Sequence, residues 1–223
     1  MLNDKTDSIL NQGKRLGWVL EPDAKELMAH HGLDIPAFIL TDAIQTAQKF
    51  LKSVQTPVVA KAVSKKIIHK TEFNAVATHI SDPDQLAAQM KRLLELDGCR
   101  QVLVEQMIHG IEVMIGAKND YQFGPVIVFG IGGTSVEIYN DTAIRMAPLK
   151  ASDVGSMVQS LKAKEILTGF RGAAGINMAA LTESMVKFSD LIMTLGDQFD
   201  SVDLNPVICT PDRCVVADAR IIL

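Results

Sequence analysis

The sequence predicts an α+β protein built as two lobes, and three observations carry that expectation. Up to about residue 105, helix and strand signals alternate. From about residue 111 to 149 the pattern changes to consecutive strands joined by turns, an antiparallel meander. The chain then closes on VDLNPVICTPDRCVVADARIIL, which has the pattern of a hairpin. These signals divide the chain into an N-terminal arm over 1–20, a first lobe over 21–105 and a second lobe over 106–223, with the crossover near 105–112.

The elements follow in order. EPDAKELMAHHG reads as a helix, with Pro22 near its start and Gly32 placed to end it. AFIL is a short strand, and Thr41-Asp42 can cap the helix AIQTAQKFLK. TPVVAKAV is an apolar strand with one internal lysine, Lys61. After a lysine-rich loop comes the strand AVATHI, and Ser81-Asp82-Pro83 opens the helix DQLAAQMKRLLEL, closed near Gly98. RQVLVEQM is a strand. In the meander, IEVMIGAKND, FGPVIVFGI, SVEIYND and TAIRMAPL are successive strands. Ser152-Asp153 can start a helix, and a longer one spans about 181 to 199.

Composition narrows the class. The 223 residues are 48% hydrophobic, and the net charge of −4 gives no reason to expect a nucleic-acid or anionic-membrane partner. No apolar run approaches a bilayer span, and the polar start MLNDKTDS is not a signal peptide. Cys99, Cys209 and Cys214 fit neither a metal spacing nor a disulfide framework, so a cytoplasmic protein with reduced thiols is expected.

The terminal hairpin can be read to the residue. If Thr210–Arg213 form its loop, Cys209 faces Cys214, Val207 faces Val216 and Asn205 faces Asp218. Facing residues share one side of a sheet, and Asp203, across from Arg220, joins them. An amide oxygen and a carboxylate side by side suit Mg²⁺, a hard ion that often takes one or two protein oxygens beside phosphate. The same pair also fits an exposed polar edge broken by Asn205-Pro206.

Other positions are equally two-sided. Lys61 is costly to bury without a partner; it is either a point charge for phosphate or a side chain that snorkels to the sheet edge. Gly130, Gly132 and Gly133 of FGIGGT permit close backbone approach to a ligand or a bulged hairpin, and match neither a Walker loop nor a dinucleotide fingerprint. Glu105 and Glu112 flank the crossover, where a strand end can meet an adenine edge and a carboxylate a ribose. SKKIIHKTEFNAV places Lys65, Lys66 and Lys70 around His69. That is either a solvated basic loop or an imidazole kept neutral by its neighbours, ready to attack a phosphate they attract.

Taken together, LEPDAKELMAHHGLDIP, PVVAKAVSKKIIHKTE, the block from LVEQMIHGIEV to TAIRMAPL, the GFRG of 169–172 and DLNPV…VVADARIIL resemble the ATP-grasp β component of ADP-forming acyl-CoA synthetases of the acetate–CoA ligase type. The resemblance covers nearly the whole chain. It implies an ATP-grasp fold, two α+β lobes with Mg-ATP or Mg-ADP held between them. It implies Lys61 as the phosphate-binding lysine, Glu105 and the backbone near Met107 as the adenine-recognising strand, and Glu112 as the ribose ligand. It further implies Asn205 and Asp218 as magnesium ligands and His69 as the histidine that carries phosphate to or from the nucleotide.

The implied reaction is acyl-CoA + ADP + phosphate ⇌ carboxylate + CoA + ATP. A CoA-binding α component with its own histidine would handle the acyl-CoA and acyl phosphate. Alternatives are a non-catalytic nucleotide-binding subunit, or another ATP-grasp carboxylate ligase acting without phosphohistidine. One departure stands out: where the family has HK[ST][DE]-x-Gly-Gly-Val, this chain has Asn74-Ala75-Val76. Asn tolerates a left-handed backbone and Ala does not, which puts the loop's mobility in question.

Overall fold

The computed structural model describes residues 4–67, 70, 72–132, 141–169, 172 and 174–223. His69, Gly133, the strand expected over 135–140 and part of the GFRG segment lie outside the described residues. The chain forms two compact units. The larger takes residues up to Ile35 together with His109–Leu223, and the smaller is Pro36–Ile108.

The smaller unit is a four-stranded antiparallel sheet with two helices on one face. Its strands β2 (Phe38–Thr41), β3 (Val58–Ser64), β4 (Val76–Ile80) and β5 (Cys99–Gln106) lie in the order β2-β5-β3-β4. Helices α3 (Ile44–Val54) and α4 (Pro83–Leu94) cover it. Alternation along β3 puts Val58, Ala60 and Ala62 into the core with Leu86, Met90 and Leu93 of α4, one helical stripe. That leaves Val59, Lys61 and Val63 to the other face. Asp82 caps α4 as the sequence predicts, its Oδ1 accepting from the Asp84 and Gln85 amides at 2.9 Å each. The cap expected of α3 differs. Ala43 holds the cap position, and Thr41 Oγ1 accepts the Ala43 amide at 3.0 Å, closing the turn before the helix.

The larger unit holds a seven-stranded antiparallel sheet. It comprises β1 (Trp18–Val19), β6 (Ile111–Asp120), β7 (Gly124–Ile131), β8 (Thr142–Met146), β9 (Ser201–Cys209), β10 (Cys214–Val216) and β11 (Arg220–Ile222). The order is β1-β11-β9-β6-β7-β8, with β10 paired to β9 beyond β11. Helices α1 (Asp4–Lys14), α2 (Glu21–His30), α5 (Ala151–Ser160), α6 (Lys164–Thr168) and α7 (Met178–Leu195) complete it. Leu181, Met185, Phe188, Ile192 and Leu195 form the buried stripe of α7, packed with Val113, Ile115, Ile127 and Phe129 of the sheet. Helix α5 starts one residue before the predicted Ser152-Asp153; Asp153 instead accepts the Lys150 amide from the first turn, at 2.7 Å.

The compact units do not follow a linear split at residues 20 and 105. Residues 21–35 belong with the C-terminal stretch, for a visible reason. Trp18 and Val19 pair with Ile222 and Ile221, and Ala24, Leu27 and Met28 of α2 enter the larger core. The same helix buries an ion pair between two of its own residues, Lys25 Nζ to Glu21 Oε1 at 3.1 Å. Among the described residues, no helix is long and apolar enough to cross a membrane.

Candidate functional site

In the smaller unit, Lys61 and Glu105 meet. Residue 59 of β3 stands opposite Glu105 of β5, so Lys61 is its diagonal neighbour on the same face. Lys61 Nζ lies 2.9 Å from Glu105 Oε1, with side chains 8% and 3% exposed. The lysine therefore does not snorkel; it is held by a carboxylate two positions along the neighbouring strand. Sequence reasoning singled out both residues and missed that they pair, because the register between β3 and β5 is not readable from either strand alone. Just past β5, the Met107 amide donates to Pro57 O at 2.9 Å. Its N–H is thus satisfied within the protein.

The lysine-rich loop leaves β3 and returns to β4, fastened at both ends. Ser64 Oγ donates to Asp97 O at 2.7 Å, and Lys66 Nζ reaches both Asp97 carboxylate oxygens at 2.8 and 2.9 Å. At the return, the Ala75 amide donates to Lys70 O at 2.8 Å, and Arg92 Nη1 donates to Asn74 O. Asn74 has φ of +50°, the left-handed region, while Ala75 is absent from the positive-φ residues and is fully buried in the smaller core. Asn74 and Ala75, at the positions where the resemblance implies two glycines, thus divide two roles. Asn74 takes the backbone conformation glycine would supply, and the Ala75 methyl fills the core.

In the larger unit, the hairpin register is as the sequence predicts. Cys214 pairs with Cys209, Val216 with Val207, and Arg220 with Asp203. The two ladders flank Asn205 and Asp218, and between them the amides of Ala217 and Asp218 both donate to Pro206 O, at 3.0 and 3.3 Å. Asn205 is exposed and Asp218 half-buried. Arg220 Nη2 lies 3.3 Å from Asp203 Oδ2. Burial pushes the Asp203 carboxyl up, the Arg220 guanidinium opposes this, and the neighbouring Asp218 charge adds to the rise. An electronegative patch of this kind favours a cation.

Glu112 is exposed on β6, opposite Ile208 and beside the core residue Val113, so it faces away from the helices. Gly130 and Gly132 serve the fold rather than an open cradle. A Cβ on Gly132 would lie 2.8 Å from Glu112 C, and one on Gly130 would lie 2.9 Å from Asp141 O. Backbone does approach these glycines closely, but it is the protein's own. Among the described residues no cluster of three or more His, Cys, Asp or Glu can hold a metal. The amide oxygen and carboxylate of Asn205 and Asp218 suit a hard cation that completes its shell elsewhere.

Comparison with known proteins matches residues 10–223 to the ATP-grasp domain family. The β subunit of acetate–CoA ligase [ADP-forming] I of Pyrococcus furiosus is 32% identical, the match covering 92% of this chain and 91% of the relative. The chain belongs to the ATP-grasp family of ADP-forming acetate–CoA ligase β subunits. The same β-subunit fold is seen in acetyl-coenzyme A synthetase 1 of Ca. Korarchaeum cryptofilum, 31% identical, with a TM-score of 0.84 and 97% of this chain and 98% of that one covered. That structure holds coenzyme A and Mg-AMPPCP, its phosphohistidine segment pointing towards the nucleotide binding site. Acetate–CoA ligase [ADP-forming] II of Archaeoglobus fulgidus is 31% identical over 92% of this ATP-grasp chain, which spans 30% of that longer relative.

Proposed function

We propose that this chain is the nucleotide-handling component of an ADP-forming acyl-CoA synthetase and passes phosphate between His69 and ADP/ATP. The observation that supports the reading is the terminal hairpin, whose Val207–Val216 and Asp203–Arg220 pairs flank Asn205 and Asp218. Asn205 and Asp218 would supply two oxygen donors to a magnesium ion bound with nucleotide, a hard cation that takes few ligands from protein. When bound, the ion would neutralise phosphate charge during transfer. Lys61, fixed by Glu105, supplies a second positive charge for phosphate oxygens; Glu105 and the Met107 carbonyl take adenine, and Glu112 the ribose hydroxyls.

His69 is the nucleophile. In the ATP-consuming direction a neutral ring nitrogen bonds the γ-phosphorus as the bond from that phosphorus to ADP oxygen breaks, and ADP leaves with the electron pair. Lys65, Lys66 and Lys70 attract phosphate and disfavour ring protonation. Acyl-CoA and acyl phosphate belong to a CoA-binding α component with its own histidine, whether a separate or a joined chain. The complex works in the cytoplasm on a small carboxylic acid.

The deciding experiment is phosphorylation from Mg-ATP, with and without the α component. Expected is acid-labile, base-stable phosphate on this chain, absent in His69→Ala. Intact ATP binding without label in the wild type would overturn the relay. ADP release that requires a carboxylate, needs no partner and survives His69→Ala would instead mark a self-contained carboxylate ligase.

A further inference from the structure

The cysteines outside the phosphate chemistry are not equivalent. Cys99 opens β5 in the smaller unit, whereas Cys209 and Cys214 are Cα partners at the closed end of the β9–β10 hairpin. Their thiols share a hydrogen bond, and both are buried, 1% and 3% exposed. Directly facing positions on antiparallel strands bring Cβ atoms within about 4.5–5.5 Å, near the span a disulfide closes.

We propose that Cys209 and Cys214 form a dithiol that a peroxide converts reversibly to an intrachain disulfide, a modification site separate from the phosphate relay.

The hydrogen bond sorts the two roles. By donating to Cys214, the Cys209 thiol is pushed up and the Cys214 thiol is pulled down, making Cys214 the sulfur that ionises first. Its thiolate attacks one oxygen of hydrogen peroxide. The O–O bond breaks, and the leaving hydroxide takes up the proton that Cys214 released, giving water and a sulfenic acid. Cys209 sulfur then attacks Cys214 sulfur, and the sulfenic hydroxyl leaves as water with the Cys209 proton. Two thiols and one peroxide become one disulfide and two waters. Access comes through the hairpin end. Strand β10 has three residues and the exposed Pro211–Arg213 tip adjoins Cys214, so the pair is reached by a local opening that releases the two Asn177 bonds to the tip.

The bridge would staple β9 to β10 on the strand that also carries Asn205. Its reach is local, because the tip is already tied down: Asn177 donates its amide to Thr210 O at 2.8 Å and its side-chain Nδ2 to Asp212 O at 3.0 Å.

The test uses the full chain, reduced, desalted and treated with equimolar hydrogen peroxide. The expected product is lighter by about 2 Da, has lost two alkylatable thiols together, and regains both with dithiothreitol. Trypsin cuts after Arg213, between the two cysteines, so the peptides carrying them stay joined until reduced; this locates the bridge in wild type without any variant. Cys99→Ser should still bridge, and Cys209→Ser should not. Three thiols surviving peroxide, oxygen adding to a single cysteine, or a bridge that includes Cys99 or a second chain would each overturn the proposal.

Discussion

At the scale of single residues, the Lys61–Glu105 pair is both a structural element and a candidate binding element, and the two roles separate by mutation. Lys61→Met leaves a nearly buried carboxylate short of its cation, and should cost about 3–5 kcal/mol in denaturant unfolding. Lys61→Met with Glu105→Leu should recover most of that stability, because both charges leave together. Nucleotide affinity should stay lost in the double variant, measured by calorimetry with Mg-ATP. Recovery of binding along with stability would remove Lys61 from the nucleotide site. Asp120 gives a pH signature of a different kind. Its Oδ1 accepts the Gln122 and Phe123 amides at 2.9 Å each, and these bonds hold its carboxyl below the usual 3.8. Because the folded value is depressed, the turn's contribution is present above pH 3.8 and lost as pH falls through the lower folded value. An NMR titration of the Asp120 carboxyl should find that midpoint below 3.8, and Asp120→Asn should remove the dependence.

At the scale of elements, the proposed phosphate transfer rests on the loop between β3 and β4 and on the β9–β11 segment. Restoring the family's glycines with Asn74→Gly and Ala75→Gly should destabilise the chain by about 1–2 kcal/mol, since a buried methyl is lost and backbone freedom is gained. It should leave the rate of His69 phosphorylation unchanged, because Asn74 already adopts the left-handed turn. A faster rate would show that the natural pair restrains the loop. Asn205→Ala and Asp218→Ala should each raise the magnesium concentration needed for nucleotide binding by at least on the order of 10–100-fold, since losing an oxygen ligand costs no less than losing a partner that only orients one. The register behind that prediction was legible in the sequence because a hairpin is local: fixing the loop at Thr210–Arg213 fixes every pair outward. The opposite case is α1 and β1, which read from sequence only as an arm. Trp18–Val19 is a strand only because Ile221–Ile222, at the far end of the chain, supplies its ladder. The Lys61–Glu105 contact was hidden for the same reason, and α3's cap was misplaced because a Thr turn and a Thr cap look alike in sequence.

At the scale of the molecule, long-range pairing decides which segments form a unit. Residues 21–35 join the larger unit because α2 follows its buried stripe into the larger core, and nothing in its own periodicity names the core it joins. The smaller unit is continuous in sequence, Pro36–Ile108, and has its own core and a full sheet. Expressed alone, that segment should fold, giving one cooperative thermal transition by circular dichroism; a spectrum without a transition would show that it depends on the rest of the chain. Its ends also lie together, since the Gln106 amide donates to Ala37 O at 2.9 Å and Phe38 pairs with Glu105. The smaller unit is therefore a cassette, with entrance and exit at one doorway. A gene could gain, lose or exchange it by a single in-frame event, and a permuted chain could begin inside it, without rethreading a strand of the sheet that carries Asn205 and Asp218.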